Sequence, residues 1–236
     1  MYIYDSIVLN ENVNNLCESF IEKNKKDPEI AIIKNIYEII NEKGEQDLNK
    51  KIKLYYLFKQ NTLLPQALKI GRDIYIKYPN NSNIYKLLEE LAFLEIEERN
   101  GENSEKIFLQ LIKQNPKNEQ FYYGLSHSYL LQNKNSNALK YAQLGLSLKA
   151  SSYGYMILAM AYGKTKDLNL AIKYLEEAVK LDSKNAKAYF EMAQIYEKQN
   201  NIKKASFFYN QALSLGELNM YDIIVSSEKI REFKNE

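Results

Sequence analysis

Apolar residues recur along most of this chain at i, i+3, i+4 and i+7, the spacing of one face of an α-helix. From Ser152 to Asn185 that face is interrupted at Lys166-Asp167, and from Ala186 to Asn219 it is interrupted at Asn200-Asn201. Each stretch therefore predicts two helices of about 13 residues joined by a tight turn. The fold class that follows is all-α, with about 12–13 helices and no sheet.

The pattern also repeats. Shifted by 34 residues, Tyr155, Leu158, Ala159, Tyr162, Ala171, Ala178 and Leu181 fall on Tyr189, Met192, Ala193, Tyr196, Ala205, Ala212 and Leu215. A constant offset marks one structural unit used more than once. The small residues have a steric reason. Ala159 and Ala171 are expected where the two helices of a unit cross, and Ala178 where the next unit packs. Tyr155 and Tyr162 are expected to fill the wider gaps.

These residues resemble the tetratricopeptide repeat: an aromatic, Leu, a small residue and Tyr in the first helix, then Ala, an aromatic, Ala and Pro in and after the second. Units 152–185 and 186–219 match well, although Ser183 and Glu217 replace the closing Pro. Unit 119–151 carries Tyr122, Leu125, Ser126, Tyr129, Ala138 and Ala142, has Gly145 at the second Ala position, and is one residue short. Unit 82–118 carries Tyr85, Leu88, Ser104, Phe108, Leu111 and Pro116, with three extra residues expected in its first helix near Glu95–Glu98. Unit 48–81 carries Leu54, Phe58, Ala67, Ile74 and Pro79, and Pro65 is placed to open its second helix.

Residues 1–47 read as a degenerate first unit, with Pro28 opening a second helix and Glu18 and Ile30 where small residues belong. They either cap the array or contact another chain. Met220 to Phe233 reads as one amphipathic capping helix. The resemblance implies a right-handed α-solenoid of antiparallel helix pairs whose first helices line a concave groove. It also implies a non-catalytic scaffold, adaptor or chaperone-like role, in which the groove holds a peptide or helix of a protein partner.

Composition narrows the function further. The chain has 236 residues, 26% of them charged, with a net charge of +2, so bulk charge makes no case for a polyanion partner. One Cys and one His exclude a disulfide framework and a tetrahedral metal site built from these residue types. No cofactor is expected. Gly124-Leu125-Ser126-His127-Ser128 fails the nucleophile elbow because Ser128 stands at the last Gly position. Gly163-Lys164-Thr165 fails as a phosphate loop because Leu158 stands where the first Gly is needed. Asp5 interrupts the N-terminus, and the apolar run from Tyr155 to Tyr162 falls short of the roughly 20 residues of a spanning helix. A cytoplasmic location without membrane insertion is the expectation.

By the register of the resemblance, Tyr123, His127, Tyr153, Met156, Met160, Phe190, Gln194 and Glu197 face the groove. Met adapts to varied apolar ligands and aromatics commonly anchor partners. The carboxylate clamp of some family members is disfavoured, because Glu90 would repel a carboxylate and Tyr123, His127, Met156, Met160, Phe190 and Gln194 supply no cation. Charge is uneven: residues 1–47 carry −5, residues 48–81 carry +6, and residues 82–118 carry −2. Lys50, Lys51, Lys53, Lys59, Lys69, Arg72 and Lys77 form a basic patch. It reads either as neutralised by adjacent units or as a contact for an acidic partner, with a regulatory or nucleic-acid-associated role as the alternative function. Three Arg in the whole chain argue against nucleic acid.

Overall fold

The structure is a computed structural model that describes residues 13–23, 30–44 and 46–235. The expected helix start at Pro28 and the N-terminal stretch with Asp5 lie outside the described residues. Among those described there are thirteen α-helices and no strand. The chain divides into two compact units, residues 1–95 and 96–236.

In the first unit α1 (Val13–Lys23) pairs with α2 (Ile30–Asn41), and α3 (Asp47–Gln60) pairs with α4 (Leu64–Lys77). Pro65 lies in the first turn of α4, where a missing N–H costs no intrahelical bond. Ile33, Ile36, Tyr55, Phe58, Ala67 and Ile74 are fully buried and form the core. A 3-10 turn, Ser82–Ile84, leads into α5 (Tyr85–Glu97), which runs across the boundary between the units. The three extra residues of this repeat enter here. The sequence placed them at the Glu-rich end of the helix, but α5 has the same 13 residues as α7, α9 and α11, and the surplus is wound into the turn before it.

The second unit alternates 14-residue second helices with 13-residue first helices: α6 (Gly101–Gln114), α7 (Glu119–Leu131), α8 (Asn135–Leu148), α9 (Ser152–Lys164), α10 (Leu168–Leu181), α11 (Ala186–Lys198) and α12 (Ile202–Leu215). It ends in α13 (Met220–Asn235). Ala159, Ala171, Ala178, Ala193, Ala205 and Ala212 are all fully buried, which lets neighbouring helices approach closely.

The turns within pairs share one device. Thr62, Arg99, Asn133, Lys166 and Asn200 adopt left-handed φ values of 56° to 67°, recurring every 33 to 37 residues. After four of them the next N–H reaches back to the helix: Leu63 to Phe58 O, Lys134 to Tyr129 O, Asp167 to Tyr162 O and Asn201 to Tyr196 O, at 2.8–3.1 Å. This is the Schellman closure, and it satisfies carbonyls that a helix end leaves orphaned. Side-chain oxygens of Asn100, Asn118, Ser151, Asp167, Asn185 and Asn201 then cap the following helices.

The abundance of Tyr follows from a repeated stack of three rings. In each of three pairs, one ring of the second helix lies between two rings seven residues apart on the first. Tyr141 lies between Tyr122 and Tyr129, Tyr174 between Tyr155 and Tyr162, and Phe208 between Tyr189 and Tyr196. Centroids are 5.4–6.5 Å apart, within the range of favourable aromatic pairing. Finally α13 lays Ile230 into a cluster with Phe190, Tyr196 and Tyr209, occupying the place a further first helix would take.

Candidate partner-binding groove

The expected groove residues of the second unit divide into two sets. Tyr123, Met156 and Phe190 are buried, at 0, 4 and 1% exposure. His127, Tyr153, Met160, Gln194 and Glu197 are half-buried and reach solvent. The first set packs between helices. Phe190 meets Tyr209 edge-on at 5.8 Å, with the Lys187 ammonium 4.4 Å above its ring.

Tyr123 is the most enclosed. Its ring lies where a Cβ on Gly145 or Gly154 would have to be, and its hydroxyl donates to the Lys149 carbonyl. Gly145 is thus not a weakened copy of the repeat's second Ala. It is the space that admits a tyrosine ring between α8 and α9. Burial pushes the Tyr123 hydroxyl pKa up.

The solvent-reaching set starts at α7. His127 Nδ1 lies 3.3 Å from Tyr153 Oη on α9. Burial, aided by the charges of Lys187 and Arg99, holds the His127 pKa down at about 4, so the imidazole is neutral at physiological pH. Lys187 stands on α11, two first helices away from His127, and its charge still acts on the imidazole. Burial likewise raises the pKa of Tyr153, and of Glu191 with the Asp222 charge adding to it.

Sequence reading missed Lys187, Glu191 and Asp222. Lys187 donates to Asp222 on α13 at 2.7 Å and lies 3.6 Å from Glu191. Lys229 on α13 reaches Glu197 at 3.0 Å. Lys187 falls on the groove register, one residue after the start of its unit, so the signal was present. Asp222 and Lys229 belong to the capping helix, which has no repeat register to betray them.

Ser126 and His127 do not form a nucleophile–base pair. Ser126 is buried and donates to the Ala138 carbonyl at 2.7 Å, away from His127. Among the described residues no group of three or more His, Cys, Asp and Glu is placed to hold a metal ion. No helix among them is long and apolar enough to cross a membrane.

The basic patch of the first unit is internally paired. Lys51 bridges Asp47 and Asp73, Lys53 meets Glu42, Lys59 meets Glu90 and Lys77 meets Asp73. Arg72 forks onto Glu95 through Nε and Nη2, and Lys50 donates to the Ile40 carbonyl. Lys69 is exposed. The local excess of +6 is largely spent on carboxylates of the same unit, and Glu90, read in the sequence as repelling an anion, serves as the counter-ion of Lys59.

Known proteins place this architecture. A tetratricopeptide-repeat family profile matches residues 164–216. No curated protein is matched by the sequence. A tetratricopeptide repeat protein from Parabacteroides merdae is similar in fold, with a TM-score of 0.66 at 13% identity over 99% of this chain and 96% of its own. A thermophilic TPR protein of Thermus thermophilus gives a TM-score of 0.63 at 13% identity over 78% of this chain and 98% of its own. The APC/C hetero-tetramer Cut9–Hcn1 gives 0.59 at 13% identity, covering 95% of this chain and 39% of the matched chain. The fold is an α-solenoid of a kind that generally mediates protein–protein interaction and is generally non-catalytic. The tetratricopeptide-repeat profile thus falls on α10–α12, and the solved structures share the helical fold of the chain.

Proposed function

We propose that the protein is a non-catalytic cytoplasmic scaffold or chaperone-like adaptor that holds a peptide or helix of a partner protein against the first helices of its second unit, within repeats 119–151, 152–185 and 186–219. The observation that carries this reading is the half-buried set His127, Tyr153, Met160 and Gln194, drawn from three successive first helices on one repeat register. Its chemistry is neutral and soft, which suits an apolar segment with hydrogen-bonding groups. Tyr123, Met156 and Phe190 contribute by packing, and substituting them would test folding rather than contact. The basic patch at 48–81 is set aside as the main surface because Lys51, Lys53, Lys59, Arg72 and Lys77 already have carboxylate partners.

The experiment is affinity capture to identify the partner, then binding of the purified pair. Met160→Glu with Gln194→Ala is expected to weaken binding at least tenfold with an unchanged circular dichroism spectrum. Unchanged affinity overturns the groove assignment.

A further inference from the structure

One line of contacts leads from a sealed position to a half-buried imidazole. Tyr123 is fully buried, and its hydroxyl donates to the carbonyl of Lys149, just beyond the C-terminus of α8. Its ring presses on the backbone of α9 at Gly154, next to Tyr153. The rings of Tyr123 and Tyr153 meet edge to face, 6.1 Å apart at 83°. Tyr153 Oη then meets His127 Nδ1 at 3.3 Å. His127 Nε2 has no hydrogen-bond partner among the described residues and is not sealed, so it keeps some access to solvent.

We propose that Tyr123 is a positioning residue of the candidate groove: it sets Tyr153, Tyr153 donates its O–H to His127 Nδ1, and His127 thereby presents Nε2–H as a fixed donor to an oxygen acceptor of the bound segment. A phenol O–H is a better donor than acceptor, and the bond made by one imidazole nitrogen decides which nitrogen carries the proton. The surroundings agree. Burial, with the charges of Lys187 and Arg99 adding to it, disfavours the imidazolium, so the ring is held as a neutral tautomer that has one donor to give. The acceptor is either an amide carbonyl or a carboxylate; both offer the same oxygen. This inference rests on the groove reading above, and its tests do not need the partner.

The chain has a single His, so imidazole NMR reports this site without assignment ambiguity. Long-range 15N–1H correlation on the full chain is expected to show the Nε2–H tautomer, unchanged from pH 8 to pH 5. Tyr153→Phe is expected to mix the tautomers, and Tyr123→Phe, which keeps the ring, to do so partly. Tyr174→Phe, a hydroxyl removed from an outer stack, is expected to change nothing. Titration with N-methylacetamide and, separately, with sodium acetate is expected to shift the Nε2 signal in at least one arm, and the responding arm identifies the acceptor. An Nδ1–H tautomer, tautomer populations untouched by Tyr153→Phe and Tyr123→Phe, or no shift with either probe overturns the proposal. Loss of partner binding on Met160→Glu alongside any of those results would leave the groove standing and discard only the positioning. Unchanged partner binding alongside an intact tautomer would do the reverse.

Discussion

The ring of Tyr123 takes the space that a side chain on Gly154 would occupy: a Cβ built there would overlap the ring at Cζ. Gly145 completes the slot from α8, with its would-be Cβ 2.5 Å from Tyr123 Cε1. Two helices of adjacent repeats are therefore spaced by one aromatic ring where the following repeat uses Ala178 and Ala188.

Gly154→Ala tests this spacing. Alanine gains up to about 1 kcal/mol of helix propensity, but overpacking costs about 1–3 kcal/mol. Because the ring is held at its hydroxyl and enclosed by backbone on two sides, the expected net is a destabilisation of about 1–2 kcal/mol. Urea unfolding reads it, and the loss is expected to shrink in a Tyr123→Leu background. An equal loss in both backgrounds would show that the ring is not the obstacle.

Thr62 offers the opposite sign. It is β-branched and sits at φ 59°, a region costly for such residues. Its hydroxyl reaches only the preceding carbonyl, that of Asn61. Thr62→Gly removes the strain and is expected to stabilise by about 1 kcal/mol, measured as a raised denaturation midpoint. Asn200→Gly, starting from a residue that tolerates this region, is expected to give less.

The Arg72–Glu95 fork is asymmetric. Nε–Oε1 is 2.6 Å and Nη2–Oε2 is 2.7 Å, with Glu95 fully buried and Arg72 40% exposed. Arg72→Met alone strands a buried carboxylate and is expected to cost about 2–4 kcal/mol, somewhat less than a fully buried pair because Arg72 keeps solvent. Arg72→Met with Glu95→Leu removes both charges and is expected to cost less than the single change. Thermal melts of the three proteins decide it.

His127 makes stability depend on pH with a definite sign. The folded ring takes a proton only near pH 4, whereas the unfolded one does so near 6.5. The unfolded state therefore binds the proton first as pH falls. The stabilisation is complete above about pH 6.5 and is lost progressively down to about pH 4, by about 2–3 kcal/mol in all. Urea midpoints at pH 7 and pH 4.5 are expected to fall more steeply for the natural chain than for His127→Gln. Parallel slopes would show that the ring titrates normally.

Much of this architecture is legible in sequence because it is local. The 3.6-residue period, the Asn and Asp caps, Pro65 and the 34-residue offset each act within one helix pair, where spacing along the chain equals spacing in space. The reading was poorer where a residue's neighbour lies outside its own pair. Tyr123, Met156 and Phe190 share the register of the groove, but register gives direction and not depth. Tyr123 is sealed because Gly145 and Gly154 leave room for it, and Phe190 because α13 and Tyr209 close over it. The ring stacks were half visible: Tyr155 and Tyr162 stood out in the repeat, whereas Tyr174, which holds them together, did not.

Sequence alone determined the helices, their pairing and the repeat, since each follows from steric and hydrogen-bonding rules between residues close in the chain. Tertiary structure decided which groove positions reach solvent, which cations of the 48–81 patch keep a free charge, and that His127 is neutral. Apart from the i,i+4 pairs of Lys51 and Lys77, those outcomes depend on groups outside the same helix whose desolvation and charge act through space, and no local pattern encodes them.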